Sequence, residues 1–432
     1  MKRPKKMIIY NLFPLLAGPL PRWKEHFIRI RDMGFNWVFV NPIQEPGMSG
    51  SIYAIKNFFE INPVLLESNA GGSEQQVREM VGAAGEQGLR LMIDLVINHC
   101  SIDSPLLKDH PGWFEWDGKG EVVHPYALHN ERKIVWGDLA RFNPSNSEDR
   151  ENLHRYRLGL IRHLADLGFK GFRCDAAYQI PAEEWISVID DAKACNPDLL
   201  FVAETLGCTP KQTRRLVAAG FDYILNSSKW WDYESRWLLN QYHLTRDLVP
   251  SISFPESHDT ERLCEELEGN LAGMKQRFLF SALFSTGVMI PMGFEFGFRK
   301  KLHVVKTTPS DWERTGIDLS SFIKRVNKTK QEFDIFQEES ATQVFTEGNP
   351  RVIVMWKGSS RTGREALVLL NKDIHRRQSF KARDIYEFFE SKAPITDVSP
   401  ENPIEEVPVN FSFDLAPGEG RVLIPKEENG VD

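Results

Sequence analysis

Four apolar runs in the chain end in residues that a hydrophobic core would exclude. The first closes as Asp94-Leu-Val-Ile-Asn98-His99, the second as Gly171-Phe-Arg173-Cys-Asp175, the third as Phe201-Val-Ala-Glu204 and the fourth as Phe254-Pro-Glu-Ser-His258-Asp259. Ionisable groups at the ends of apolar strands carry a desolvation cost of several kcal/mol unless they are paired. A single pocket that gathers all four ends would supply the pairing. Two carboxyl groups about 5 Å apart are what glycosidic bond cleavage with retention requires, one to attack the anomeric carbon and one to protonate the leaving oxygen. Neighbouring strands can bring Asp175 and Glu204 to that separation. Arg173 lies two residues before Asp175 on the same strand face and offers the positive charge that keeps a nucleophile ionised. Glu204 needs the opposite treatment: it follows the apolar run 199–203, and burial near negative Asp175 and Asp259 should raise its pKa toward a proton-donating value. Asp259, His99 and His258 would then bind sugar hydroxyls and stabilise an oxocarbenium-like transition state. Arg173 has a second reading as the structural partner of Asp94, and the two roles are compatible.

The elements that must position these groups are legible as well. Short apolar runs alternate with amphipathic stretches over the first two-thirds of the chain, the pattern of βα units around a parallel sheet. Candidate strands fall at 7–13, 37–42, 89–96, 171–175, 199–204, 223–225, 252–254 and 288–292, a set of eight. Between them, Trp23, Phe27 and Ile30 share a helical face in a stretch that stops at Gly34, and Leu153, Leu160, Ile161 and Leu164 do the same ahead of Gly168. Ser73 and Gln76 have the spacing of a capping box before the stripe Val77, Met80, Val81 and Ala84. The expected fold is therefore α/β, a (β/α)8 TIM barrel. Its strand C-termini and the loops after them would form the catalytic face.

One interval breaks this rhythm. Residues 100–146 are rich in His, Asp, Gly, Trp and Pro with little periodicity, and read as a short insertion after strand three, long enough to serve as a lid or binding element. After an amphipathic helix near 322–330, strand runs at 352–356, 366–370 and 422–424 are punctuated by Gly and Pro, the texture of a C-terminal all-β sandwich. The expected division is a barrel over 1–99 and 147–335, the insertion over 100–146 and the sandwich over 336–432.

Composition excludes several function classes. A chain of 432 residues with 41% apolar and 26% charged residues has ordinary globular usage, which argues against a membrane span and against wholesale disorder. Its net charge of −7 argues against nucleic acid or an acidic bilayer as the main partner, because such binders usually carry a concentrated basic face, so neither is expected. The basic stretch Met1 to Lys6 precedes an apolar run, Met7 to Tyr10, too short for a signal-peptide core. Cys100, Cys174, Cys195, Cys208 and Cys264 are scattered, without zinc spacing, and read as reduced thiols of a cytoplasmic protein.

The four strand ends resemble, in order, the signature regions of the α-amylase superfamily, glycoside hydrolase family thirteen. Asp94 to His99 resembles its DxxxNH region, Gly171 to Asp175 its GFRxD nucleophile strand, Ala203-Glu204 its acid/base strand and His258-Asp259 its HD pair. Gly293-Phe-Glu295-Phe-Gly297 is similar to the motif at the eighth strand. The resemblance implies Asp175, Glu204 and Asp259 as the catalytic triad, Tyr53 as the ring beneath the sugar at the cleavage subsite, and His99, Arg173 and His258 as its hydrogen-bonding partners, with Asp94 in support. It also makes Trp136-Gly-Asp138-Leu similar to the region whose aspartate often binds calcium together with the asparagine equivalent to Asn98. Two oxygens fall short of the six to eight a hard cation wants, so hydrogen-bonding roles are favoured for Asn98 and Asp138, and no cofactor is required. Tyr178-Gln179 also departs from the Lys-His that many calcium-dependent relatives carry there, which removes a calcium ligand and an acceptor contact. The stretch from Asp175 to Thr213 and Gly220-Phe-Asp-Tyr is closer to the maltose-1-phosphate maltosyltransferases of the family than to secreted amylases.

Three functions are compatible with this reading. Hydrolysis of α-glucans or malto-oligosaccharides leads, transglycosylation or maltosyl transfer through the same covalent intermediate on Asp175 is the alternative, and a non-catalytic glucan-binding barrel is the remote third. Tyr53 has a bland alternative as a packed loop aromatic, and His99 and His258 as hydrogen-bonded core histidines. Trp113, Trp116, Trp136, Trp230 and Trp231 are either sugar-stacking rings or core. Linkage, chain length, acceptor and oligomeric state are left open.

Overall fold

The computed structural model describes residues 6–129, 132–143, 149–345 and 348–426. Met1 to Lys5 and the boundary expected near Asn146 lie outside the described residues.

Eight strands close into a parallel barrel in sequential order: β1 (Met7–Leu12), β2 (Trp37–Val40), β3 (Arg90–Leu95), β4 (Gly171–Cys174), β5 (Leu200–Ala203), β6 (Tyr223–Leu225), β7 (Ser251–Ser253) and β8 (Gly287–Pro291), with β8 pairing back to β1. They are the eight expected runs, seven of them trimmed or shifted by a residue or two and the sixth, Tyr223–Leu225, unchanged. Their alternation divides the side chains between two cores. Met7, Ile9, Trp37, Phe39, Met92, Val202, Ile252 and Met289 fill the barrel interior. Ile8, Val38, Ile93, Phe172, Phe201 and Val288 face the surrounding helices. A strand buried on both faces must be apolar throughout, which is why these runs read as continuous rather than alternating.

The longer helices are α1 (Trp23–Asp32), α2 (Ser73–Glu86), α3 (Arg150–Asp166), α4 (Ala182–Cys195), α5 (Pro210–Val217), α6 (Trp237–Thr245), α7 (Leu271–Phe284) and α8 (Ser320–Glu332). Gly34 and Gly168, just past α1 and α3, take the left-handed conformation with φ of +86° and +112°, the geometry that lets the chain leave a helix and turn into the next strand. The capping box expected at Ser73 and Gln76 does not form. Ser73 is the first helical residue, the cap is Gly72, and no side chain caps the helix. Gln76 is instead buried and fastens the preceding loop, donating to the Glu67 and Gly71 carbonyls at 2.9 and 3.0 Å and accepting from the Glu67 N–H at 3.0 Å. A buried amide must have its hydrogen bonds met, and here the Gln76 side chain, itself buried, meets them with three backbone groups of the overlying loop rather than in a solvated cap.

The insertion has local order that its sequence hides. His99–Ser101 pairs with Leu139–Arg141 and Tyr126–His129 with Arg132–Val135, two short antiparallel ribbons beside the barrel mouth. The C-terminal strands are β9 (Ala341–Phe345), β10 (Val352–Gly358), β11 (Glu365–Asn371), β12 (Gln378–Ala382), β13 (Ile395–Asp397), β14 (Phe411–Leu415) and β15 (Gly420–Pro425). They form an antiparallel sheet in the order β9-β10-β11-β15-β13 and a separate pair, β12-β14, packed around Val354, Leu367, Leu369, Phe380, Phe411 and Leu423. Two buried lysines fix the region where the chain passes from the barrel into this unit. Lys330 Nζ donates to the carbonyls of Ala282 and Ser285, both at 2.8 Å, and also to that of Phe336, while Lys357 Nζ donates to the Phe284 carbonyl at 2.6 Å. Together they satisfy carbonyls that the end of α7 leaves without helical partners.

Candidate active site

Strand register brings the polar strand ends together. Arg173 on β4 is the register partner of Asp94 on β3, and both side chains face the barrel interior. The ladder runs one residue beyond each strand: the Asp175 N–H donates to the Leu95 carbonyl and the Glu204 N–H to the Cys174 carbonyl, each at 3.2 Å. Asp175 and Glu204 therefore stand side by side, one layer above the Asp94–Arg173 pair.

Arg173 is the hub. Its Nη1 lies 2.7 Å from Asp94 Oδ1 and 2.7 Å from Asp175 Oδ1, and its Nη2 lies 3.1 Å from Glu204 Oε2 and 4.0 Å from Asp259 Oδ2. The planar guanidinium can serve four carboxylates because its donors are held in a fixed fork, and it sits over the Phe39 ring at 5.8 Å. Exposure grades the acids: the Asp94 side chain is sealed, those of Asp175 and Glu204 are 13% and 14% exposed, and that of Asp259 is 48% exposed, so the cleft opens on the Asp259 side.

The second hub is the Tyr53 hydroxyl, which donates to Asp94 Oδ2 at 2.7 Å and accepts from Asn41 Nδ2 at 2.9 Å. His258 Nε2 lies 2.8 Å from the same hydroxyl and 3.1 Å from Asp259 Oδ2, and the Tyr53 and His258 rings stack in parallel at 5.9 Å and 7°. With the hydroxyl proton committed to Asp94, Nε2 of His258 is the protonated nitrogen. His99 Nε2 donates to the Tyr53 carbonyl at 3.0 Å. Burial lowers the pKa of both histidines, so both rings are neutral at pH 7. Their Nδ1 atoms are buried with no partner among the described residues.

Burial also sets the acids apart. It pushes the Asp94 carboxyl up to about 7 against the pull of Arg173, and it raises Glu204 well above the carboxylate range, with the neighbouring Asp175 and Asp259 charges adding to the effect. Glu204 has one further partner, the Ala176 N–H at 2.6 Å. Ala176 adopts a left-handed φ of +41°, a conformation that costs an alanine about 1 kcal/mol and that turns this amide toward the acid.

All the residues expected at the site, Asp94, Tyr53, His99, Arg173, Asp175, Glu204, His258 and Asp259, thus converge on one barrel mouth. The sequence reading missed Asn41, Asn11 and the Ala176 amide. Asn11 donates to Asn41 Oδ1 at 2.8 Å, and both asparagines are buried at the ends of β1 and β2. A polar residue ending an apolar strand is the signal that found the others and would have found these two. Nothing local marks Ala176. The tryptophans divide: Trp113 and Trp231 are core, whereas Trp116, Trp136 and Trp230 are exposed.

Asn98 is buried with both amide atoms lacking partners among the described residues, while Asp138 is half-buried on the neighbouring turn. No group of three or more His, Cys, Asp or Glu side chains able to hold a metal occurs among the described residues. Asn98, Phe142, Tyr178, Gln179, Arg141 and Arg215 line a cleft of about 850 Å³ between the insertion and helices α4 and α5.

A sequential parallel barrel with this mouth, an insertion after β3 and an antiparallel C-terminal unit is the architecture of the α-amylase fold. The structure aligns with that of an α-amylase from Lactobacillus plantarum at a TM-score of 0.78, covering 98% of this chain and 99% of that one at 19% identity. It aligns with the maltogenic α-amylase AmyB of Thermotoga neapolitana at 0.76, covering 97% and 98% at 21% identity. In sequence, the chain is similar to an α-1,4-glucan:maltose-1-phosphate maltosyltransferase of Burkholderia pseudomallei, 24% identical over 374 residues, and to one of Rhodospirillum rubrum, 26% identical over 382 residues. These matches cover 83% and 80% of this chain but 32% and 53% of the relatives, so the chain spans a third to a half of their length. Residues 4–114 match the family model of the glycogen debranching enzyme glucanotransferase domain. The fold is therefore that of the α-amylases, and the sequence likeness is to maltose-1-phosphate maltosyltransferases and, over residues 4–114, to the glucanotransferase domain.

Proposed function

We propose that the protein is a retaining enzyme acting on α-glucans or malto-oligosaccharides by double displacement. The observation that carries this reading is the shared guanidinium: Asp175 and Glu204, from adjacent strands, lie 2.7 and 3.1 Å from the two ends of the Arg173 fork. In the first step the Asp175 carboxylate attacks the anomeric carbon while Glu204 gives its proton to the departing glycosidic oxygen. In the second, Glu204, now a carboxylate, takes a proton from the incoming hydroxyl, whose oxygen displaces Asp175. Asp259 faces the open side, where its charge and that of Asp175 stabilise the oxocarbenium-like transition state. Neutral His99 and His258, with Arg173, bind hydroxyls of the sugar under attack, and Tyr53 offers its ring beneath it. Asp94 holds Arg173 in place.

Hydrolysis and transfer differ only in what resolves the intermediate. The likeness to maltosyltransferases favours transfer to a sugar, and the cleft lined by Asn98, Tyr178 and Gln179 gives an acceptor room. A glucan is the expected partner. Among the described residues no helix is long and apolar enough to cross a membrane. The five cysteines are all free, which supports a reducing, cytoplasmic setting. Incubation with maltoheptaose tests the whole: shorter products alone mark a hydrolase, longer ones as well mark a transferase, and unchanged maltoheptaose together with unchanged maltose 1-phosphate rejects the reading.

A further inference from the structure

Trp230 closes a single 3-10 turn, Ser228–Trp230, that leaves the catalytic end of β6. Its neighbours on both sides are anchored. Lys229 is buried and pairs with Glu266 at 2.8 Å. Trp231 is buried against Tyr233 and Phe280, donates from Nε1 to the Ser235 carbonyl at 2.7 Å, and accepts at its own carbonyl from Arg277 at 2.6 Å. The start of the turn is fixed to β7, because the Phe254 N–H donates to Ser228 Oγ at 3.1 Å.

Between these anchors the Trp230 indole is 50% exposed, against 2% for Trp231. Its only ring contact among the described residues is a perpendicular one with Phe254 at the end of β7, with centroids 6.1 Å apart and planes at 87°. Its Nε1 has no hydrogen-bond partner among the described residues. The charge of Lys229 is neutralised by Glu266, so this turn presents a flat apolar face and a free N–H donor without excess charge. β6 neighbours β7, and the loop after β7 carries Asp259, the acid whose side chain opens the cleft. A rigidly mounted, half-wet indole next to the open side of a site is expensive as packing. It is well made for the apolar face and hydroxyl rim of a pyranose ring, for which tryptophan supplies a large surface at little conformational cost and a polar edge.

We propose that Trp230 is a sugar-stacking platform that holds one glucose unit of the glucan chain at the β6 edge of the cleft. The inference rests on the glucan-active reading above and assigns a residue that the four strand-end motifs do not contain.

The test is isothermal titration calorimetry of the full chain carrying Asp175→Asn, which removes the attacking carboxylate, with maltoheptaose as the probe. Adding Trp230→Ala should raise the maltoheptaose Kd roughly 2- to 12-fold, the worth of one aromatic stacking contact, and Trp230→Phe should restore most of it. Thermal melts of both variants should match the Asp175→Asn parent, since half of the indole already faces water. An unchanged Kd in Trp230→Ala overturns the platform while leaving the glucan reading intact. Failure of the Asp175→Asn parent to bind maltoheptaose at all removes the glucan reading, and the platform with it.

Discussion

Arg173 places its Nη2 3.1 Å from Glu204 Oε2 while its Nη1 is committed to Asp94 and Asp175. The acid proposed to donate a proton is thus in contact with a cation that favours its charged form. Burial is the larger influence and raises its pKa, with Asp175 adding to the rise. The guanidinium therefore aligns Glu204 without holding it ionised.

Arg173→Lys should abolish most activity while the protein still folds. A lysine ammonium keeps the charge but is a point donor and cannot span the four carboxylates that the fork reaches. Loss of one preorganised electrostatic donor typically costs about 100-fold or more in kcat. Steady-state kinetics on maltoheptaose, with a thermal melt as control, check this. Activity within a few-fold of the parent would show that charge alone suffices.

The raised pKa of Glu204 predicts a direction in pH. The unfolded carboxyl titrates near about 4.3, and the folded one higher, so the stability this group contributes is complete below the unfolded value and is lost as pH rises through the folded value. Glu204→Gln lacks that titration. Its melting temperature relative to the parent should therefore climb as pH is raised from about 4, and the Asp94 titration, common to both proteins, cancels in the difference. Activity follows the same group: kcat/KM falls on the alkaline side as Glu204 loses its proton. A melting difference that stays flat across the range would remove the assignment of Glu204 as the raised acid.

Tyr53→Phe deletes a hydroxyl that joins Asp94, Asn41 and His258 and leaves the ring stacked on His258. A hydrogen bond to a charged group is worth about 1.5–3 kcal/mol, so kcat/KM should fall roughly 10- to 100-fold. Wild-type kinetics in this variant would leave the ring as the only contribution of Tyr53.

Lys330→Met removes the donor from three carbonyls at the junction of barrel and C-terminal unit. Each buried group left unpaired costs about 1–3 kcal/mol, offset by the charge that no longer has to be buried, for a net loss of roughly 2–5 kcal/mol. Denaturant unfolding reads it out. A variant as stable as the parent would mean that water reaches those carbonyls.

The barrel and most of its mouth were legible because both depend on patterns along one strand at a time. An apolar run such as Arg90–Leu95 must be a strand wrapped in core, and an acid or amide at its end must face whatever cleft the strands share. The same rule applies to Asn11 and Asn41, which went unread although their placement obeys it. The failures have a different origin. Ser73 and Gln76 have capping-box spacing, but the backbone of the preceding loop competed for the Gln76 amide and won.

Residue type and order alone therefore pointed Asp175, Glu204 and Asp259 to one face of a closed barrel, because a strand buried on both faces leaves only its end for a charge. Tertiary structure alone decided that one arginine would serve four acids, that the Ala176 amide would turn to Glu204, and that Trp230 would face water while Trp231 was buried. Those outcomes depend on register between strands and on closure of the sheet, distances between residues far apart in the chain that local periodicity does not carry.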